Sequence, residues 1–314
     1  MTAVDVIPPV LAQAAGRRVL ADQSVRNYNS GMLRMGGDIV LATRTFNHST
    51  HRCDIVIRRI RDFATADIYT PETIVVLDLP RAHGMEHFED ARLFLHNGKI
   101  HIAYTEGHYY QSPTVEIQQL AVLREDFTVE RVVTIPFGSN TVGREKNWQF
   151  FSHDGRLHFV YSIEPHVVVS LDDNYGIDQA YITPPALEFP LRGGTPPVFA
   201  GSMFVTFPHF HLPHPERSRR YAFSALCFSP VPPFAVVGVT DPIVVASAND
   251  PTLPNPAYPH WIPIVVFPCG AFSDGKAWHV SAGINDSYDV IFEIPETSLR
   301  FAHVPQHSVP TRHA

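Results

Sequence analysis

Residues 89–106 read EDARLFLHNGKIHIAYTE. The apolar run LFL leads into the turn His96-Asn97-Gly98-Lys99, and a second strand, IHIAY, returns from it. Asn-Gly supplies the positive-φ positions that a tight hairpin needs, and the alternation in IHIAY is that of a half-buried strand. The same hairpin is written four more times: NYNSGMLRMGGDIVLATR at 27–44, EKNWQFFSHDGRLHFVYS at 145–162, RGGTPPVFAGSMFVTFPH at 192–209 and FPCGAFSDGKAWHVSAG at 267–283. The turn glycines are Gly37, Gly98, Gly155, Gly201 and Gly275, between 46 and 74 residues apart.

An irregular period of this size fits a four-stranded blade with variable outer loops, and five copies predict an all-β, five-bladed β-propeller around a central funnel. A β-sandwich or two β-domains would use the same short strands and Gly/Pro turns. Repetition of a whole hairpin favours the propeller. The Pro-rich stretches at 230–233 and 249–263 fall between copies and read as inter-blade connections, so residues 1–314 are taken as one domain with short terminal extensions.

Composition agrees. With 45% hydrophobic residues the 314-residue chain can bury a large core, and its 28 prolines favour turns and strands over long helices. A net charge of −7 offers no broad basic surface, so nucleic acid is not an expected partner. Eighteen histidines, often beside aromatics, suit polar clefts and sugar rings. Cys53, Cys227 and Cys269 are far apart and odd in number, which predicts neither a disulfide framework nor a zinc knuckle. Asp5 and Pro8-Pro9 interrupt the apolar run that a signal peptide needs, and no stretch approaches the ~20 apolar residues of a membrane span. The expected setting is the cytoplasm, without a membrane partner; a homo-oligomer is left open.

In a propeller the first strand of each blade lines the channel, so equivalent ends of the copies converge. There the sequence places Asn29 and Ser30; Glu89, Asp90 and Arg92; Glu145, Lys146 and Asn147; and Arg192 and Thr195. The far ends of the second strands add Arg44, Tyr104, Glu106, Tyr161, Glu164, His166, His209, His211, Asn285 and Asp286. Charged and amide groups gathered at one mouth are costly to desolvate unless they pair or meet a ligand, and a polar-ligand site is the economical reading.

These residues carry a resemblance. EDARLF, EKNWQFF followed by VYSIEPH, RGGTPPV, PIVVFPCGAF and VSAGINDSYDVIFEI resemble, in order, the motifs of glycoside hydrolase family 130, the inverting β-mannoside phosphorylases and β-1,2-mannosidases, and their mannosyltransferase relatives. The resemblance runs from Asn27 to Ile294. EDARLF is similar to the family's EDPR signature with Ala91 in place of proline, which implies that Asp90 is the catalytic acid and Arg92 a substrate-binding residue. The GINDS segment implies that Asn285 and Asp286 meet the sugar.

The implied chemistry is cleavage or formation of a β-mannoside-like bond with inversion. Asp90 would protonate the departing oxygen, in this family through a sugar hydroxyl, while phosphate, water or an acceptor takes the other face. Arg92 and Asn147 would orient the sugar, with Tyr104 or Tyr161 at its rim. The sequence departs from the phosphorylases where they hold phosphate, having Ser162, Ile163 and Glu164 instead of an arginine. Glu164 is therefore a candidate base for water in an inverting hydrolase. Arg144, Lys146, Arg192 and His209 are a candidate anion site for phosphate, a sugar phosphate or a nucleotide sugar as co-substrate. No other cofactor is expected.

The remaining motifs are weak. His209 and His211 share a strand face without a carboxylate to complete a metal set, so no metal is expected. HGMEH at 83–87 is not HExxH, and Asp172-Asp173 reads as a turn. The alternatives to an enzyme are a carbohydrate-binding propeller that has lost catalysis, and an interaction scaffold.

Overall fold

The computed structural model describes residues 15–19, 26–63, 71–81, 87–108, 115–137, 145–212, 220–243, 265–286 and 288–306. The first described strand is β1 (Ala15–Val19). β2 (Arg26–Met35), β3 (Asp38–Asn47), β4 (Arg52–Ile60) and β5 (Glu72–Val76) form an antiparallel sheet in that order. A second sheet repeats the order with β6 (His87–His96), β7 (Lys99–His108), β8 (Val115–Leu123) and β9 (Val129–Thr134), tied to β4 by one parallel pair, Cys53 with His87. A third holds β10 (Gln149–His153), β11 (Arg156–Ile163), β12 (His166–Leu171) and β13 (Ile177–Thr183).

The fourth sheet begins with β14 (Val198–Ala200) and β15 (Met203–Thr206), then sends out a separate hairpin of β16 (His209–Leu212) and β17 (Arg220–Phe223). It resumes with β18 (Leu226–Phe228) and β19 (Val236–Val239). The fifth consists of β20 (Val266–Ser273), β21 (Ala277–Ile284) and β22 (Tyr288–Pro295), and its outer strand is β1 from the other end of the chain. β23 (Ala302–His303) edges the fourth sheet. Among the described residues no helix is long and apolar enough to cross a membrane. The all-β reading holds.

The hairpin turns lie where the repeats place them. Asn97 and Gly98 (φ 48° and 74°) and Asp154 and Gly155 (φ 48° and 74°) fill both central positions with positive φ, the requirement of a type I′ turn. In the first copy Gly36, not Gly37, takes the positive φ, of 65°.

Side chains alternate between two faces of a strand, and here both faces are covered. On β3, Val40 and Ala42 pack toward the second sheet, whereas Ile39 and Leu41 pack toward the fifth. On β10, Phe150 faces the second sheet and Phe151 the fourth. Val205 and Trp278 join the fourth and fifth. Each sheet thus packs on its neighbour in chain order, and the fifth also packs on the first. IHIAY is consequently buried throughout, not half-buried.

That correction explains three of the histidines. His101, His158 and His279 pair across their hairpins with Phe94, Phe151 and Phe272. Each ring stacks on its partner, at centroid separations of 5.3, 5.1 and 4.7 Å. They are packing pieces between sheets and do not face a sugar. Burial pushes His101 and His158 down to about 4, and does the same to His166, which lies in the interior against Phe228 at 5.2 Å. Their folded-state pKa lies below the ordinary histidine value, so the unfolded chain binds more protons between pH 4 and 6.5. Stability is therefore expected to fall as pH drops through that window, by on the order of 3 kcal/mol for a group as buried as His166. Urea midpoints measured from pH 7 to pH 4 test this, and His158→Phe should flatten the slope.

Candidate active site

The first strands of the sheets do not run straight. The β2–β3 ladder skips between Tyr28 and Gly31, the β6–β7 ladder between Glu89 and Arg92, and the β20–β21 ladder between Pro268 and Gly270. In two of these bulges the displaced chain passes through the left-handed region, which after glycine Asn and Asp tolerate best. Asn29 (φ 56°) and Asp90 (φ 51°) occupy the bulges, and Asn147 (φ 65°) stands just ahead of β10. The polar groups at these strand starts are the ones that the backbone geometry admits.

Close approach of the strands demands glycine elsewhere. A Cβ on Gly31 would strike the Ala91 carbonyl, one on Gly193 the Asn147 carbonyl, and one on Gly270 the Met32 backbone. β2 thus packs backbone to backbone on the second and fifth sheets at the level of the bulges.

Asp90, 6% exposed, is the centre of the arrangement. Asn29 Nδ2 donates to its Oδ1 at 2.9 Å, and Arg44 Nη1 stands 3.9 Å from the same oxygen. Arg44 also donates to Glu89, lies 4.8 Å over the Tyr28 ring and directs Nε to Cys53 Sγ at 3.4 Å. Both of these contacts fall on one carboxylate oxygen, Oδ1.

Arg92, expected to bind substrate, is engaged by acceptors within the protein. It is fully buried and donates from Nε to the Gly194 carbonyl at 2.5 Å, from Nη1 to the Asp90 carbonyl at 2.9 Å and from Nη2 to Asn147 Oδ1 at 3.0 Å. It braces three sheets. Asn147, with Oδ1 so engaged, keeps its Nδ2 donors for other partners. His209 Nδ1 donates to the Gly193 carbonyl at 2.8 Å, and its ring meets Phe267 at 4.7 Å. Burial holds it neutral, pushed down to about 3, so Nε2 is an acceptor.

Other expected residues divide. Glu145 receives the Tyr161 hydroxyl at 3.4 Å, and Lys146 is paired with buried Glu116 at 2.8 Å. Asn285 and Asp286 form the turn after β21, Asn285 Oδ1 accepting from Val265 N at 3.0 Å and Asp286 exposed. Arg192 and His211 are exposed, and His211 stacks on Tyr221 at 4.3 Å. Glu164 lies exposed on the turn between β11 and β12. Arg144 and His83 to Glu86 lie outside the described residues.

Tyr104, His166, Thr195 and Ser30 are placed in packed interior instead of an open mouth. Tyr104 belongs to the core between the first two sheets, beside Phe88. Thr195 Oγ1 accepts from Phe207 N at 3.0 Å, and Ser30 bonds Asp289. Asp289, which sequence reasoning passed over, is 3% exposed, and burial pushes its carboxyl up to about 6 against the pull of the Ser30 donors. Its sequence signal is no more than an acid near the start of the mostly apolar strand YDVIFEIP. Among the described residues no group of three His, Cys, Asp or Glu could hold a metal ion.

No protein-family model matches the chain, and no curated protein matches its sequence. Solved structures match in fold. The β-1,2-mannobiose phosphorylase from Listeria innocua, solved with β-1,2-mannobiose, aligns with a TM-score of 0.65 at 13% identity over 90% of this chain and 98% of its own. A glycosyl hydrolase from Bacteroides ovatus aligns at 0.62 and 13%, over 90% and 87%. A mannose phosphorylase from Leishmania mexicana, in complex with a phosphate ion, aligns at 0.58 and 13%, over 93% and 92%. Along nearly its whole length the chain has the fold on which these glycoside-processing enzymes are built.

The backbone contacts at the bulges yield a stability test. Gly270→Ala forces a methyl into the Met32 backbone and is expected to cost about 1–3 kcal/mol. Gly37→Ala, with open space around it, serves as the control, both read by urea denaturation.

Proposed function

We propose that this chain is a carbohydrate-active enzyme of the glycoside hydrolase family 130 kind, which cleaves or forms a β-mannoside-like bond with inversion. The five sheets are read as the blades of one propeller domain spanning 1–314, closed by β1 on the fifth blade. The packing of the fifth sheet on the first supports that reading. The observation that carries the function is Asp90, set in a bulge with one oxygen held by Asn29 beside Arg44.

In this reading Asp90 releases its proton toward the glycosidic oxygen, directly or through a sugar hydroxyl, as the C1–O bond breaks. The nucleophile forms a new bond to C1 from the opposite face, and the leaving sugar departs as an alcohol. Asn29 and Arg44 orient the acid, while Asn147 and neutral His209 present a donor and an acceptor for sugar hydroxyls. Phosphorolysis or transfer to an acceptor is the leading form, supported by the fold shared with two mannoside phosphorylases. Hydrolysis is the second reading. It is favoured by the Lys146–Glu116 pair, which neutralises a cation that phosphate would use. Three buried, unpaired cysteines support a reducing, cytoplasmic setting.

The test is release of sugar 1-phosphate and free sugar from a panel of β-mannosides, with and without inorganic phosphate. Phosphate-dependent sugar 1-phosphate is the expected product, and free sugar alone selects hydrolysis. Asp90→Asn should lower turnover by about 10²- to 10⁴-fold while sugar binding persists. Unchanged turnover in that variant would overturn the assignment of the acid.

A further inference from the structure

Asp289 is the second residue of β22, in register with Gly283 of β21. Both of its oxygens are directed to one residue of another sheet: the Ser30 backbone N donates to Oδ1 at 3.1 Å, and the Ser30 hydroxyl donates to Oδ2. Ser30 is one of the two residues that the β2 bulge takes out of the ladder, so its N–H has no strand partner. The Asn29 backbone N–H meets the same carboxylate. Successive N–H groups around a left-handed residue form a concavity for an anion, and Asp289 fills it.

The residue in register with Asp289 also presses on Asn29. A Cβ on Gly283 would collide with Asn29 Oδ1 and stand 2.8 Å from its backbone N. The fifth sheet therefore meets Asn29 at both Asp289 and Gly283, and Asn29 Nδ2 in turn holds Asp90 Oδ1 on the second sheet. Burying a carboxylate without a directly bonded cation is costly, and three neutral donors, two on Ser30 and one on Asn29, offset only part of that cost.

We propose that Asp289 is a positioning residue: it holds the Asn29-Ser30 bulge, through which Asn29 fixes the orientation of Asp90. The proposal rests on the reading of Asp90 as the acid. It makes the aim of that acid depend on docking of the fifth sheet on the first, which brings together the two ends of the chain.

The test combines kinetics with a readout that needs no turnover. Asp289→Ala takes the carboxylate acceptor from the backbone N–H groups of Ser30 and Asn29, and it should lower kcat by about ten- to a hundredfold with KM within about threefold, as misplacement of a reacting group does. Asn29→Ala should do the same, and the double variant should be no worse than either single one, because both act through one chain of contacts. Asp289→Asn keeps an acceptor for Ser30 N and donates to Ser30 Oγ, whose proton turns to Thr43 Oγ1 2.8 Å away; it should restore kcat to within about threefold of wild type.

In parallel, the Asn29 side-chain amide is followed by ¹⁵N spectra of the full chain. Its protons should exchange slowly in wild type and Asp289→Asn, and rapidly in Asp289→Ala. An effect of Asp289→Ala on KM alone, additive losses in the double variant, or an unchanged Asn29 amide would each overturn the proposal. If wild type turned over no glycoside while the amide responded as described, the reading of Asp90 as an acid would fall and the hold of Asp289 on Asn29 would stand.

Discussion

A guanidinium sealed from solvent has to find its acceptors in the protein, and the centre of this molecule is arranged around that requirement. Arg92 reaches the Asp90 carbonyl of its own sheet, Asn147 ahead of the third and the Gly194 carbonyl ahead of the fourth. Its face lies over Phe267 of the fifth, 5.6 Å from the ring centroid. Removing any of these acceptors would leave a buried charge under-solvated, a cost several times that of an ordinary hydrogen bond. The bulges follow from the same constraint, since a straight β6 would keep the Asp90 carbonyl in its ladder and away from Nη1.

Packing between the sheets and polar contact at the strand starts are two parts of one design. Phe-His stacks, aliphatic pairs and glycine contacts set how closely neighbouring sheets approach. That approach decides whether Asn29 can reach Asp90 and whether Asp289 can reach Ser30. The groups that touch a ligand in the proposed reaction are few, and most of the buried polar residues around them hold backbone. A fold shared with mannoside phosphorylases at 13% identity fits this division, because repeated backbone geometry can persist where individual side chains do not.

The hairpins were legible because their information is local. Asn97-Gly98 and Asp154-Gly155 fix turns by φ alone, and the apolar runs beside them fix strands. The convergence of Asn29, Asp90 and Asn147 was legible as well, since each opens the same hairpin and each belongs to a type that accepts positive φ. The roles of Arg92, Tyr104, Thr195 and His166 were not. A polar residue on a strand doubly covered by neighbours looks, in one dimension, like one at an open strand end, and only the neighbouring sheet shows which it is.

The sequence by itself therefore determined the strands, their turns, the fivefold recurrence and the residues at each strand start, because hairpin geometry and period-two patterning act over a few residues. Which partner each buried carboxylate meets was decided by the tertiary structure alone. Asp90 meets Asn29 across 61 positions and Asp289 meets Ser30 across 259. Contacts at such separations depend on how closely whole sheets pack, a sum over many side chains that no single stretch of the chain encodes.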